Sequence, residues 1–532
     1  MIPIRRSVIA LFIGIAAILL GLIYHQSLAA SSALIFRLPS QFTSKLTTGV
    51  SPAMPPKPVI VVGSGLAGLS AAYEALRAGA KVHMLERAAK PGGNSIKASS
   101  GINGANTRFQ KAAGVVLDDK FYDDTVRSAG RRFLQQQQEA ENEGVNRAGL
   151  ISALTNRSES AVNWLVDDIG VDLSVVAPLG GHSLPRTHRG AGKTPPGAAI
   201  VTTLLKKLGE NPDFELSTTA DVEALNVADD GSGSMNVKGL RYVSSEGAAH
   251  DLEGPVVFAV GGFAGDANGL LAKYRPDLAG IPSTNDPRPA SHGMLEAVGA
   301  RFVDMDSVQI HPTGFVDPKD AGATYKILAA EVLRGEGGIL LSGEGERFVN
   351  EMETREVVSK AIMALPPHNS GETRQWDVTL LLDPGAIDVT AGHLGFYLFK
   401  GLMEKKQVKD LSPQIIAAID RYAAAVAAGK DEDFGRSTFG HWRLPPGEAN
   451  RDQEVCVGKI TPITHFTMGG AAFDENARLL GPGSATIPGI WAAGEITGGI
   501  HGDNRLGGSS LLECVVFGRI AGTEAAKATT QG

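Results

Sequence analysis

The sequence predicts an α/β fold organised around a Rossmann-like dinucleotide-binding unit, and three observations carry that prediction. An apolar run at residues 58–62 leads straight into the turn Gly63-Ser-Gly65-Leu-Ala-Gly68 and a helical stretch over 66–77. A second strand is expected at Lys81-Val-His-Met-Leu85 and leads into Glu86, near the place about 20 positions after the first glycine where this fingerprint wants an acid. The chain of 532 residues, 43% hydrophobic and 20% charged, has room for about three domains and apolar surface for a large core.

Each element has a physical reason. Continuous rather than alternating apolar residues suit a parallel strand covered on both faces. Gly63 permits the tight turn, and Gly65 lets backbone N–H groups at a helix N-terminus approach a pyrophosphate. Gly68 lets the helix lie close to the strand, and Glu86 accepts from ribose hydroxyls. Further along, a Gly/Ser turn is expected at residues 229–234 and an Ala-rich helix at 415–428. No repeat of fixed period occurs.

The N-terminal end reads differently from the body. Arg5-Arg6 precede an uncharged apolar run, Ser7 to Tyr24, so residues 1–30 are a signal peptide or a signal anchor. Ser27-Leu28-Ala29 offers small residues for cleavage. Either reading places the rest of the chain across a membrane, in a lumen or outside. Residues 31–56, which end in Ser-Pro-Ala-Met-Pro-Pro, read as a flexible linker.

Composition excludes several classes. Fifty Lys and Arg against 57 Asp and Glu give a net charge of −7, which argues against nucleic-acid binding through a basic surface. Two cysteines, Cys456 and Cys514, rule out a disulfide framework or a cysteine-rich metal site, and there is no CxxCH for covalent haem. No HExxH-type spacing points to a metal.

A second glycine cluster, Pro91-Gly92-Gly93-Asn94-Ser95 followed by Ala98-Ser-Ser100-Gly101-Ile102-Asn-Gly104, resembles the segment that passes under the flavin in FAD enzymes of the two-dinucleotide fold. Gly489-Ile-Trp-Ala-Ala-Gly-Glu495 resembles their C-terminal flavin-holding strand. Further motifs follow in order: Leu179-Gly-Gly-His182-Ser-Leu-Pro-Arg186-Thr-His188-Arg189, Gln309-Ile-His311-Pro-Thr, Ala330-Glu331-Val-Leu-Arg334-Gly, Arg347-Phe-Val-Asn-Glu351 with Thr354-Arg355, His465-Phe-Thr467-Met468-Gly-Gly, and His501-Gly-Asp-Asn-Arg505-Leu-Gly-Gly508-Ser-Ser510-Leu511-Leu-Glu513. Together they resemble the soluble FAD-dependent fumarate reductases, nearest in kind to the fungal enzymes, from about Lys57 to the C-terminus.

The resemblance implies a split Rossmann-like FAD-binding domain, residues 57–303 and 460–532, around an inserted α+β capping domain of 304–459. The segment Ala259-Val-Gly-Gly262-Phe263 is expected as another strand end facing the cofactor. FAD is expected on Gly63, Gly65, Leu66, Ala67, Gly68, Glu86, Arg87, Gly92, Gly93, Asn94, Ser95, Ser100, Gly101, Ile102, Gly262, Glu495, Arg505, Gly508, Ser510 and Leu511. No histidine lies between Asn94 and Arg108 to link it, so it is expected to be non-covalent. Fumarate is expected against His311, His465, Thr467, Met468 and Arg505, with His465 and Arg505 on one carboxylate and His311 on the other.

Chemistry agrees with that assignment. Adding hydride and then a proton to a double bond flanked by two carboxylates builds charge on one of them, and preorganised Arg and His donors stabilise it. The resemblance makes Arg355 the proton donor, fed by Glu331 and Arg334. An arginine, with pKa above about 12, is a poor acid unless a neighbouring charged pair resupplies it. Without the resemblance, Glu331 and Arg334 read as an ordinary i,i+3 helix pair. Among departures from the wider pattern, Ala330 replaces a threonine, Phe466 the second of a His pair, and Pro289-Ala-Ser-His292-Gly293 a Thr-Gly-Asp-Gly stretch. Asp503 replaces an alanine and is expected to compete for Arg505.

Two alternatives stand beside fumarate reduction: reduction of another unsaturated acid of urocanate or acrylate type, and a non-catalytic lumenal flavin electron carrier. The expected partners are fumarate and succinate, with reduced flavin (FADH2 or FMNH2) or another donor supplying electrons to a monomer. The compartment is expected to be the endoplasmic reticulum or the mitochondrion, with the N-terminus as a membrane anchor if it is not cleaved.

Overall fold

The computed structural model describes residues 57–133, 145–229 and 235–530. The expected signal or anchor segment, the linker and residues 230–234 of the Gly/Ser turn lie outside the described residues. Among the described residues no helix is long and apolar enough to cross a membrane.

The elements that position the site are, in chain order, β1 (Val59–Val62), α1 (Leu66–Arg77), β2 (Val82–Glu86), β3 (Phe214–Thr218), β4 (Val256–Phe258), β5 (Val308–Phe315), α2 (Val332–Gly335), β6 (Ile339–Ser342), α3 (Arg355–Met363), β7 (Val378–Leu382), β8 (Glu404–Gln407), β9 (Glu454–Thr467), β10 (Arg478–Leu480), β11 (Thr486–Ala492) and α4 (Ser509–Ala528). Six of these strands form a twisted sheet in the order β10-β11-β4-β1-β2-β3. All its pairings are parallel except that of the edge strand β10. β1 is wholly apolar and buried, as a strand covered on both faces must be.

Parallel pairing brings the C-terminal ends of β1, β2, β4 and β11 to one edge. The glycine turn, Glu86, Ala259–Phe263 and Gly494-Glu495 therefore meet there although they are spread over more than four hundred positions. Gly63 adopts φ +97°, and a Cβ on Gly68 would lie 1.9 Å from the Gly63 carbonyl oxygen. The turn thus has no room for a side chain at its third glycine. α1 and α4 pack equally closely, since a Cβ on Gly518 or Gly522 would lie 2.4 or 2.1 Å from the carbonyl oxygen of Ala67 or Ala71.

A second sheet is antiparallel, β5-β9-β7-β6 with β8 also on β9, and its strands lie in the chain between β4 and β10. It has its own core, including Phe315, Leu340, Val378, Leu380, Leu382 and Ile460. Register shifts in β5 fall between Gln309 and Ile310 and between His311 and Gly314, which re-aims the His311 segment relative to a regular ladder. The expected Ala-rich helix runs Pro413–Ala428, started by Ser412, whose hydroxyl accepts from the Ile415 N–H, and stopped by Gly429 in the left-handed region.

Candidate active site

An elongated cleft of about 1560 Å³, counting its open mouth, runs along the C-terminal edge of the parallel sheet. Gly63, Gly65, Leu66 and Ala67 line it where α1 begins, with Glu86 and Arg87 at the end of β2. Gly93, Asn94, Ser95, Ser100 and Gly101 form one wall, and Glu495, Gly508, Ser510 and Leu511 another. His311, Arg355, His465 and Arg505 also line it.

The remaining expected residues stand behind this lining. Gly68 backs the glycine turn, the Gly92 N–H donates to Ser64 Oγ (2.9 Å), and Ile102 is buried in a short strand beside them. Gly262 leaves room for Thr467 and Glu495, whose carboxylate accepts from the Thr467 N–H (2.9 Å). Met468 is buried, with its N–H on the Ser307 carbonyl (3.0 Å). Glu331 and Arg334 lie buried beneath Arg355.

The long part of the cleft fits a dinucleotide. α1 and α4 both start at glycines with no side-chain cap, Gly65 and Gly508, so two helix N-termini face it with backbone donors suited to an anionic middle. The Glu86 carboxylate is oriented by Ser64 (N–H at 2.9 Å, Oγ at 2.5 Å) and by the Ala88 N–H at 2.8 Å. Burial pushes the Glu495 carboxyl up to about 7, and nearby Glu513 adds to the rise.

The other part is a cup of unspent donors. His311 Nε2, His465 Nδ1, Arg355 Nη1 and Arg505 Nε are buried atoms with no hydrogen-bond partner among the described residues. So are Arg334 Nε and Nη2 behind them. The two imidazoles stand edge to face with centroids 5.3 Å apart, and the Arg505 guanidinium lies 4.4 Å over the Phe466 ring. His311 Nδ1 lies 3.2 Å from both the Thr313 nitrogen and the Thr313 carbonyl oxygen, and Nε2 is the nitrogen left without a partner.

Electrostatics explains why the cup wants an anion. Burial, then the Arg355 charge, hold His311 and His465 well below the usual histidine range, so both stay neutral donors. The same two causes lower Arg505 to about 9. Burial alone would raise Glu331, but Arg355 and Arg334 overcome it and hold that carboxylate at about 2. Arg355 and Arg334 share Glu331, Arg334 has Glu351 as a second acidic neighbour, and Arg505 is offset mainly by Glu513 and Glu495, so the free guanidinium nitrogens of the cup are left for a bound anion.

Three details depart from simple expectation. Glu331 makes no i,i+3 ion pair. Its Oε2 takes Arg355 Nε and Nη2, each at 2.6 Å, and its Oε1 takes the Gly180 N–H at 3.0 Å. Arg334 instead donates Nη1 to the Glu351 carbonyl (2.5 Å), although its charge still lies near enough to Glu331 to favour that carboxylate. Asp503 does not take Arg505; it accepts from Arg132 Nε and the Arg131 N–H, both at 2.9 Å. Residues without an expected role also line the cleft, among them Asp221, Thr284, Asn285, Arg288 and Met294. They arrive from segments with no local motif, and only the turn-like Ser-Thr-Asn-Asp-Pro at 283–287 hinted at structure there.

The chain matches the family model described as FAD binding domain over residues 58–511. It is 39% identical over 488 residues to "Fumarate reductase 1" of Saccharomyces cerevisiae, covering 87% of this chain and 97% of that protein. It is 38% identical over 481 residues to "Fumarate reductase" of Schizosaccharomyces pombe, covering 87% and 88%. Among solved structures it is similar to the open conformation of a flavocytochrome c3 fumarate reductase, with TM-score 0.66 and 31% identity over 90% of this chain and 79% of that one.

Proposed function

The chain belongs to the FAD-binding flavoprotein family of the fumarate reductases, and from that premise we propose that it reduces fumarate to succinate with non-covalent FAD. The observation that carries the reading is the cup: four unpartnered Arg and His nitrogens on residues that line the cleft, with Glu331 paired to Arg355 beneath them. A twin-headed acid satisfies it, whereas a mono-acid of urocanate or acrylate type leaves donors idle. A non-catalytic electron carrier has no use for them.

FAD, when bound, supplies the hydride. Arg505 and His465 hold one carboxylate and His311 Nε2 the other, and Thr467 and Met468 back that wall. As negative charge grows on a substrate carboxylate, Arg505 and His465 already point at it, so the transition state gains more than the ground state. Arg355 delivers the proton to the neighbouring carbon from Nη1, its unpartnered nitrogen. The neutral Arg355 guanidine left behind regains a proton from Glu331, 2.6 Å from Arg355 Nε, once Glu331 has taken one from Arg334, which solvent reprotonates. Glu331 is a suitable carrier because it stays ionised between turnovers.

Residues 57–303 with 460–532 form the FAD-binding part of this proposal and 304–459 the cap that excludes water over the substrate. The chain has two cysteines and no CxxCH, so electrons do not enter through covalent haem or a cysteine-ligated cluster of its own. Reduced flavin in solution is the proposed donor. Arg5-Arg6 and the apolar run behind them support a lumenal location, with the endoplasmic reticulum and the mitochondrion as the compartments to examine.

The test is reoxidation. Chemically reduced protein regains its yellow absorbance when fumarate is added, and Arg355→Ala keeps FAD yet reoxidises about 10²–10⁴-fold more slowly, the range of a lost general acid. Reoxidation of the variant at the parent rate overturns the donor assignment. Failure of the parent to respond to fumarate overturns the function.

A further inference from the structure

One set of contacts joins the nucleotide part of the cleft to the carboxylate cup, and the mechanism above leaves it unused. Asn94, within the second glycine cluster, donates Nδ2 to Asn285 Oδ1 at 2.5 Å. Asn285 Nδ2 donates to the backbone carbonyl of His465 at 2.9 Å. One side-chain amide therefore holds the cofactor wall with its oxygen and the substrate histidine with its nitrogen. Asn285 itself is 7% exposed and lines the cleft.

The segment carrying Asn285 is built as a strap. The Thr464 N–H donates to the Pro282 carbonyl (2.8 Å) and the Thr284 N–H to the Thr464 carbonyl (3.1 Å), which lays residues 282–284 along β9 next to His465. Ser283 Oγ donates to the Thr464 carbonyl (3.2 Å) and accepts from the Asn285 N–H (3.0 Å), so the backbone that presents the amide is itself pinned. A neighbouring pair, Lys97 with Asp286 at 2.9 Å, repeats the link between the same two turns. Its partners are 35% and 62% exposed, where ion pairs contribute little. The Asn285 amide is the stronger connection, because at 7% exposure it is far better shielded from competing water than that ion pair.

We propose that Asn285 is a positioning residue that couples flavin seating at Asn94 to carboxylate binding at His465. Moving the Asn94 turn onto the cofactor drags the Asn285 oxygen, and the same rigid amide then sets where the His465 backbone lies. A dicarboxylate in the cup tightens FAD, and FAD tightens the dicarboxylate by the same factor, as linkage requires. The proposal rests on the fumarate reductase reading.

The experiment uses full-length holoenzyme with oxidised flavin and succinate, which binds without turnover. FAD affinity is measured by flavin fluorescence with and without saturating succinate, and succinate affinity by the perturbation of flavin absorbance. The expected coupling factor in the parent is about fivefold or more, within the usual allosteric range. It falls to within about twofold of unity in Asn285→Ala and in Asn94→Ala, and the double variant loses no more than either single. Lys97→Ala retains it. Should Asn285→Ala fold poorly, Asn94→Ala breaks the same link from the other side. A parent that binds both ligands with no coupling, or single variants that keep the parent's factor, overturns the Asn285 role alone. A parent that binds FAD but no succinate overturns the functional reading beneath it.

Discussion

The proposed function has the Arg505 cation hold a substrate carboxylate, and its acidity makes a pH test. It is lowered to about 9 by burial and by Arg355, so the cation that holds a carboxylate is present below that pH and lost above it. Succinate affinity is expected to be flat up to about pH 9 and to weaken by up to about tenfold per unit beyond. Constancy to pH 10.5, read in the same absorbance titration, would contradict this. Glu495 gives the opposite kind of test, in the apoprotein. Its folded pKa, about 7, lies above the unfolded carboxylate value, so the folded state binds the extra proton. The stability it contributes is full below about pH 4.5 and lost as pH rises through 7. Urea unfolding of Glu495→Gln should show a shallower decline over that window than the parent. Because Glu495 also borders the open cleft, the difference will be smaller than for a sealed carboxyl. Asp503 teaches caution at this scale: its identity suggested a rival for Arg505, but Arg132 occupies it.

At the level of elements, the helix over 66–77 was readable to the residue, because a glycine turn and a run of Leu and Ala leave the chain few alternatives. β1 and β2 shift by one residue from the apolar runs, the ordinary uncertainty of strand ends. The close packing of α1 on its turn was expected from Gly68, and the 1.9 Å approach gives it a physical test. Gly68→Ala is expected to destabilise by about 3 kcal/mol or more and to lose FAD, since the contact is with rigid backbone. Gly209→Ala, where a Cβ meets nothing within 4 Å, should change stability by less than about 0.5 kcal/mol. Equal urea midpoints for the two variants would refute the close-packing argument.

Across the whole molecule, the described residues belong to one compact unit that begins at residue 56. Residues 57–532 alone are therefore expected to be yellow and to reoxidise with fumarate at the parent rate; a colourless product would show that the leading 56 residues contribute to folding. The cofactor is expected to leave with the fold. Acid precipitation should release free FAD to the supernatant, and flavin retained in the pellet would reveal a covalent link. Both tests treat the two sheets as one structure, since the cup takes His311 and His465 from the antiparallel sheet, Arg355 from α3 and Arg505 from the loop before α4.

The amino-acid sequence by itself determined the dinucleotide unit, the order of the motifs and the identity of the cup's four donors, because glycine turns, buried strands and family motifs are local patterns. Only the tertiary structure decided that Glu331 pairs with Arg355 instead of Arg334, that Asp503 faces Arg132, and that Asn285 stands between Asn94 and His465. These partners lie 24, 371, 191 and 180 positions apart. Chain distance of that size carries no local signal; parallel pairing and the laying of one segment along another bring such groups within hydrogen-bond reach.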